Sequence, residues 1–165
     1  MPAAAPLPLA MLRSGWVVRV GLDEGLLGRA RATAWADHWL LALPEPPVEL
    51  ADVSMPGREV PWSAITAIVG DVADADRFAI TVALFDGAVA DGRCATEAAV
   101  RRLTECMLSD GVASDVQGRL WHLDYNGEAF TPEPLDPAAL TAEFRAFAAP
   151  YVAAWADAIA LVVAA

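Results

Sequence analysis

The chain has 165 residues and a formal net charge of −11 at pH 7, with 22 acidic residues against 11 basic ones. This length suits one domain with its own hydrophobic core, and the negative charge disfavours nucleic acid and anionic membrane surfaces as partners. Every basic residue is an arginine, which excludes lysine-dependent chemistry such as Schiff-base catalysis and the phosphate-binding P-loop.

The N-terminal segment, residues 2–12, is apolar but contains three prolines and no basic residue ahead of it. A signal peptide has a charged start and a helical apolar region, so this pattern indicates a different kind of segment. We predict a flexible tail over residues 1–13, followed by a single domain over residues 14–165.

The remaining indicators of location favour the cytoplasm. The apolar run 151–165 is interrupted by Asp157 and is shorter than the roughly 20 residues of a membrane-spanning helix. Cys94 and Cys106 belong to no metal-binding or redox motif, which fits a reducing compartment. We therefore expect a cytoplasmic protein without a transmembrane segment and with no membrane partner.

Several short runs are rich in β-branched and aromatic residues, which is typical of strands. Asn126 and Gly127 follow the last of them and match the type I′ turn of a hairpin whose second strand is residues 128–131. These runs predict an α+β fold in which an antiparallel sheet is packed on one face by helices. The predicted strands are residues 15–22, 62–69, 77–85 and 119–125.

Three segments are predicted to be helical, and a proline-rich irregular connection is expected at 44–61. The first helix lies within residues 23–43, and the second is capped by Thr96 and ends at Gly111. The third begins with Asp136 as N-cap and Pro137 in the first turn. Pro150 lies inside it, so we expect a long, kinked C-terminal helix.

The C-terminal helix presents two contrasting faces. Large apolar residues spaced by three or four form a stripe that must be buried, and alanines form a smooth ridge on the opposite side. The ridge is either a helix–helix seam, within the fold or across a homodimer, or an ordinary solvent-facing surface. The stripe is Leu140, Phe144, Phe147, Tyr151, Trp155, Ile159 and Val162; the ridge is Ala142, Ala146, Ala149, Ala153, Ala156 and Ala160.

No set of residues matches a known catalytic, cofactor or metal site. His38 lies between two tryptophans, and His122 is placed to pair with Asp124 two residues later on a strand, but a surface histidine explains that spacing better. The acidic residues at 71, 74 and 76 lack the spacing of a calcium-binding loop. We predict no catalytic residue, no cofactor and no metal, and the sequence leans away from an enzyme.

The tryptophans either fill the core or line a groove for a peptide. The residues that we predict to bind a partner are Trp35, Trp39, Trp62, Ala146, Ala149 and Ala153.

Over residues 78–159 the order of elements resembles the class I type III secretion chaperones, the Tir-chaperone family, and the related bacterial sensory-regulator domains. The resemblance rests on "FAITVALF", "ATEAAVRRLTECML", "GRLWHLDYNGEAF" and "PLDPAALTAEFRAFAAPYVAAWADAI", taken as strand, helix, hairpin and long helix. It implies a homodimer that holds an extended segment of a client protein.

Three functions remain open at this point. The first is a chaperone-like homodimer for a protein client. The second is an immunity or antitoxin-type protein, which its negative surface would steer onto a folded, basic toxin. The third is a domain that binds a small ligand between the sheet and the C-terminal helix.

Overall fold

A computed structural model describes residues 6–55, 62–107, 112–127 and 136–164. These residues form eight α-helices and no strand. The helices are α1 (Leu9–Asp23), α2 (Arg29–Ala42), α3 (Glu49–Ser54), α4 (Trp62–Val69), α5 (Asp74–Ala90), α6 (Thr96–Met107), α7 (Ser114–Gly127) and α8 (Pro137–Ala164).

The predicted α+β fold is therefore wrong, because each predicted strand among the described residues is helical. Residues 15–22 lie in α1, residues 62–69 form α4, residues 77–85 lie in α5 and residues 119–125 lie in α7. Asn126 and Gly127 lie in α7, which is described as far as Gly127, and they form no hairpin turn. The returning strand at 128–131 lies outside the described residues.

The error has a physical cause in α5, where the interior of the helix is buried on nearly every side. Nine of its residues are buried, and seven of them are consecutive, from Ile80 to Asp86. A helix buried all round shows no 3.6-residue alternation, so its sequence is indistinguishable by period from a buried strand. The 17-residue length of α5 is the feature that separates the two, since strands seldom exceed ten residues.

Where one helix face is polar, the prediction succeeds. In α6, Val100, Leu103 and Met107 are buried, whereas Arg101, Arg102 and Glu105 are exposed, as predicted. The helix begins at Thr96 and is described as far as Met107, so the predicted end at Gly111 lies outside the described residues. The helix predicted within residues 23–43 is confirmed as α2.

Two other boundaries differ from expectation. Helix α1 begins at Leu9, so the last residues of the tail predicted for 1–13 are helical. The connection predicted to be irregular at 44–61 contains the short helix α3.

By its internal contacts the chain separates into two compact units, where the sequence suggested a single domain. The first unit comprises residues Met1–Val72 with Ala156–Ala165, and the second comprises Ala73–Trp155. Helix α8 therefore contributes its first part to the second unit and its last residues to the first.

In the first unit, α1 and α3 each contact both α2 and α4. Helix α1 approaches its neighbours closely at Gly15, where a β-carbon would lie 2.3 Å from Val69 Cγ1 and 2.9 Å from Trp35 Cζ2. Trp35 is fully buried, and its indole nitrogen donates a 2.9 Å hydrogen bond to Ser14 Oγ, which itself donates to the Met11 carbonyl. Small residues on α1 thus make room for a large one on α2.

Arginines bind the carbonyl ends of helices in the first unit. Arg19 donates to the Gly70 carbonyl just after α4, and Arg29 donates to the Met55 carbonyl just after α3. Arg31 donates a 2.6 Å hydrogen bond to the Val163 carbonyl near the end of α8. The last carbonyls of a helix lack intrahelical partners and carry partial negative charge, so a guanidinium stabilises them.

In the second unit, α6 contacts α5 and α7, and α8 is fastened to its neighbours by polar contacts. Arg145 of α8 pairs with the buried carboxylate of Asp86 at 3.4 Å. The hydroxyl oxygens of Thr96 and Thr141 lie 2.7 Å apart. The N-cap prediction is confirmed, because Asp136 Oδ1 accepts from the backbone amides of Ala138 and Ala139 at 2.8 and 3.1 Å.

The same turn closes the first helix pair of each unit. Gly25 follows α1 with φ +67°, and Gly92 follows α5, 67 residues later, with φ +68°. In the first turn the amides of Leu26 and Leu27 both donate to the Gly21 carbonyl, and in the second the corresponding amides donate to the Ala88 carbonyl. Helices α2 and α6 begin at equivalent positions, Arg29 and Thr96. The repetition indicates one helix–turn–helix plan used twice.

The two faces of α8 are as predicted. Within the stripe, Leu140, Phe144, Phe147, Trp155 and Val162 are buried and Tyr151 and Ile159 are half-buried, whereas the six ridge alanines are exposed. The helix continues through Pro150.

Helix α8 is also long and apolar enough, by length and composition, to cross a membrane, and it alone passes this test among the described residues. The run 151–165 is too short to span a membrane, but α8 has 28 residues, so its length does not exclude a membrane span. The core helix of a soluble protein meets the same criteria, so the absence of a membrane span and the cytoplasmic location stay predictions.

The close approach at Gly15 gives a first prediction. Gly15→Ala should lower the free energy of unfolding by roughly 1–3 kcal/mol, because the added methyl group overlaps Val69 and Trp35. The matched control is Gly87→Ala in α5, where no atom lies within 4 Å of the added carbon. That control should gain roughly 0.5–1 kcal/mol from the better helix former. Urea unfolding measures both; equal effects would contradict the packing at Gly15.

The buried stripe gives a second prediction. Phe144→Asp should unfold the second unit, because Phe144 is fully buried and the new carboxylate would have no partner. Ala149→Glu, on the exposed face of the same helix, should change stability by less than about 0.5 kcal/mol. Circular dichroism during thermal unfolding compares them, and a cooperatively folded Phe144→Asp variant would show that the stripe is misassigned.

Candidate functional site

Helix α7 has a buried side and an exposed side that differ in chemistry. Leu120 and Leu123 are buried, three residues apart, and hold the helix to its unit. Asp115, Arg119 and His122 recur at intervals of four and three, so they share one exposed face of the helix. His122 and Asp124 do not share a face in the way that the predicted strand required.

An open groove of about 430 Å³ lies between this face of α7 and helix α8. Its apolar lining includes the buried side chains of Leu123 and Phe147. The charged residues come from both helices: Asp115 and Arg119 from α7, and Glu143 from α8. The remaining lining residues are Gly118, His122 and Ala146. We call this the α7–α8 groove.

The positive charge in the α7–α8 groove lies over an aromatic ring. The Arg119 guanidinium carbon is 5.0 Å from the centroid of the Phe147 ring, a cation–π distance. Phe147 in turn lies 5.6 Å from the ring of Tyr151, which makes an edge contact with Phe78. The guanidinium is therefore stacked on the aromatic cluster that joins α8 to α5.

The charges of Arg119 and Asp115 also affect the pKa of Tyr151. Burial raises the pKa of its phenol above the ordinary value, Arg119 opposes that shift, and Asp115 adds to it. A raised pKa means that the folded protein favours the neutral phenol. Any stability contributed by this preference is complete below the unfolded pKa of about 10 and is lost as the pH rises through the folded value.

Helix α7 also carries two large exposed aromatic residues that are not among the lining residues of the α7–α8 groove. Trp121 is 52% exposed and Tyr125 is 59% exposed. With Gly118 and His122 they occupy neighbouring positions of the helix surface, at intervals of three and four. Exposed Trp and Tyr side chains on one helix are more typical of an interface than of a surface that only contacts water.

A second open groove, of about 530 Å³, lies in the first unit. It is lined by His38 of α2 and by the last residues of α8, namely Asp157, Ala160, Leu161 and Ala164. His38 makes an edge contact with the ring of Trp39 at 5.0 Å. Apart from His38 and Asp157 its lining is apolar, so it offers few groups that would orient a ligand.

The residues predicted to bind a partner do not form one site. Trp35 and Trp39 are buried in the first unit, and Trp62 at the start of α4 is half exposed. The indole nitrogen of Trp39 has no hydrogen-bond partner among the described residues. Ala146, Ala149 and Ala153 lie on the exposed face of α8 in the second unit, and Ala146 lines the α7–α8 groove.

The sequence interpretation missed Asp115, Arg119, Glu143 and the exposed positions of Trp121 and Tyr125. The helical spacing of residues 115, 119 and 122 carries the signal, but the alternation over residues 119–125 predicts a strand and conceals it. No group of three or more His, Cys, Asp or Glu side chains among the described residues is arranged to hold a metal ion.

Comparison of the chain with protein-family models, with curated proteins and with solved structures finds no match in any of the three.

The setting of Tyr151 gives a third prediction. Only two tyrosines are present, so Tyr125→Phe leaves Tyr151 as the one titrating phenol. Its absorbance titration should have a midpoint above that of the unfolded protein. Adding Arg119→Gln should raise the midpoint further, and adding Asp115→Asn should lower it, because those charges act in opposite directions. A midpoint equal in the folded and unfolded protein would contradict this environment.

Proposed function

We propose that this protein works without catalysis, by binding a protein partner that presents a basic surface to helix α7 and the α7–α8 groove. The observation that carries the proposal is the pair of exposed aromatic residues, Trp121 and Tyr125, on the helix that also lines a groove containing two carboxylates and a guanidinium. Such aromatic side chains supply most of the binding energy in many protein interfaces.

The sign of the charge indicates the partner. With a net charge of −11, the chain attracts basic proteins and speeds their association, and it repels acidic ones. Asp115 and Glu143 place two of these charges at the groove itself. Helix α7 and the α7–α8 groove therefore offer both aromatic contact area and negative charge that would attract a basic partner.

Among the alternatives, a folded basic partner fits this surface better than an extended client. A client held by strand addition needs an exposed sheet edge, and the described residues contain no strand. The order of elements that resembled the secretion chaperones depended on those strands. A preformed helical surface needs no such edge, which favours the immunity-type alternative.

Homodimerisation along the exposed alanine ridge of α8 remains a prediction. The ridge has the smooth shape that close helix packing requires, and it is exposed in the single chain. The proposed function does not depend on it.

A photo-crosslinking experiment tests the proposal, and this is our fourth prediction. Trp121 is replaced by p-benzoylphenylalanine in cells that express the protein, and the matched control carries the same group in place of Val48. Val48 is 76% exposed and lies in the first unit. We expect a protein adduct from position 121 that is not formed from position 48.

The identity of the adduct decides the outcome. The crosslinked protein, identified by mass spectrometry, should have a net positive charge, and the adduct yield in extracts should fall as salt screens the attraction. No adduct at position 121, or the same adducts from both positions, would overturn the proposed function. An acidic partner would overturn its electrostatic part.

A further inference from the structure

We propose that the α7–α8 groove seats a cationic side chain of the partner together with an adjacent apolar side chain; this assignment rests on the proposed function. The cation lies by the carboxylates of Asp115 and Glu143, and the apolar side chain packs on Leu123 and Phe147. The groove would thus recognise a short basic, amphipathic segment on the surface of the partner.

The composition of the groove favours a cation over an anion. Two carboxylates face it from different helices, against a single guanidinium. That guanidinium, on Arg119, lies over the ring of Phe147, where the cation–π contact already engages it. The two carboxylates outnumber the one guanidinium, so the charged lining residues sum to a negative charge that attracts a cation and repels an anion.

The size of the groove suits the same occupant. Its volume of about 430 Å³ lies in the range of roughly 300–1,000 Å³ typical of sites that enclose small ligands. It is open to solvent and contains both charged and apolar lining residues. One long side chain and its neighbour can enter from a surface segment while the backbone of the partner remains outside.

Gly118 lines the groove on the α7 side without a side chain. A β-carbon at this position would have no atom within 4 Å, so the glycine is not required by packing. Glycine inside a helix costs roughly 0.5–1 kcal/mol relative to alanine. A larger side chain here would occupy the groove without a collision near the backbone.

The fifth prediction uses two charge-matched double variants. The groove variant is Asp115→Asn with Glu143→Gln. The control is Asp91→Asn with Glu105→Gln, which removes two exposed carboxylates of the same unit that form surface ion pairs with Arg93 and Arg102. Both variants lose two negative charges, so long-range attraction changes equally. Circular dichroism confirms that each is folded.

The probe is a short fluorescein-labelled peptide of arginine, leucine and alanine, and binding is measured by fluorescence anisotropy. We expect the groove variant to bind it about ten-fold more weakly than the unaltered protein, and the control to lose about two-fold at most. The same peptide with glutamate in place of arginine should not bind. Equal weakening of the two double variants would show that only net charge attracts the peptide, and the proposed site would be wrong.

Steric variants test the site at constant charge. Gly118→Leu fills the groove from α7, and Ala146→Leu fills it from α8; each should weaken peptide binding about ten-fold. If the variants that fold bind as tightly as the unaltered protein, the peptide lies elsewhere and the inference fails. A crosslink from position 121 would still stand in that case, so failure of the groove and failure of the proposed function are distinguishable.

Discussion

The first helix pair of each unit depends on one backbone constraint, a glycine in the left-handed region at the turn. Gly25 and Gly92 have φ values of +67° and +68°, a conformation that costs other residues roughly 1–2 kcal/mol. In each turn two successive amides bind a single carbonyl of the preceding helix, so the chain reverses within five residues. The turn fixes where the second helix starts, and the apolar faces of α1 with α2 and of α5 with α6 meet as a consequence.

The charged residues follow from the same helical architecture. The eight described helices have many ends, and in the first unit arginines of α1 and α2 bind the carbonyl ends of α3, α4 and α8. These three guanidinium groups are therefore engaged within the unit. Acidic residues outnumber basic ones two to one, so negative charges predominate. The α7–α8 groove shows the same excess, with two carboxylates and one guanidinium.

How much of this could be predicted from the sequence depended on whether a segment had a polar face. The faces of α6 and the start and two sides of α8 were predictable because polar residues or alanines alternate with large apolar ones. Helices α1 and α5 were not predictable, because buried residues surround the axis of each. In α1 these include Val17, Val18 and Val20, and in α5 they include the run from Ile80 to Asp86. A helix without a polar side has no period to detect. Short runs such as α4, with its two isoleucines, fit either structure by composition.

The candidate site was missed for a related reason. Trp121, Leu123 and Tyr125 alternate, and this alternation suggested a strand face although only Leu123 is buried. With a period of 3.6 the same segment brings Asp115, Arg119 and His122 to one side of α7. The single error in period hid the groove and placed His122 on the same face as Asp124.

Helix α8 determines the order in which the two units can be completed during synthesis. Its last residues belong to the unit formed by α1 to α4, and Ala158 and Val162 are buried there. The ribosome makes those four helices first, yet their unit stays incomplete until residues 156–164 emerge. The second unit ends at Trp155, so all of its residues have been synthesised before residues 156–164. The first unit is thus completed after the second, and a stop codon near position 156 would remove the residues of α8 that belong to it.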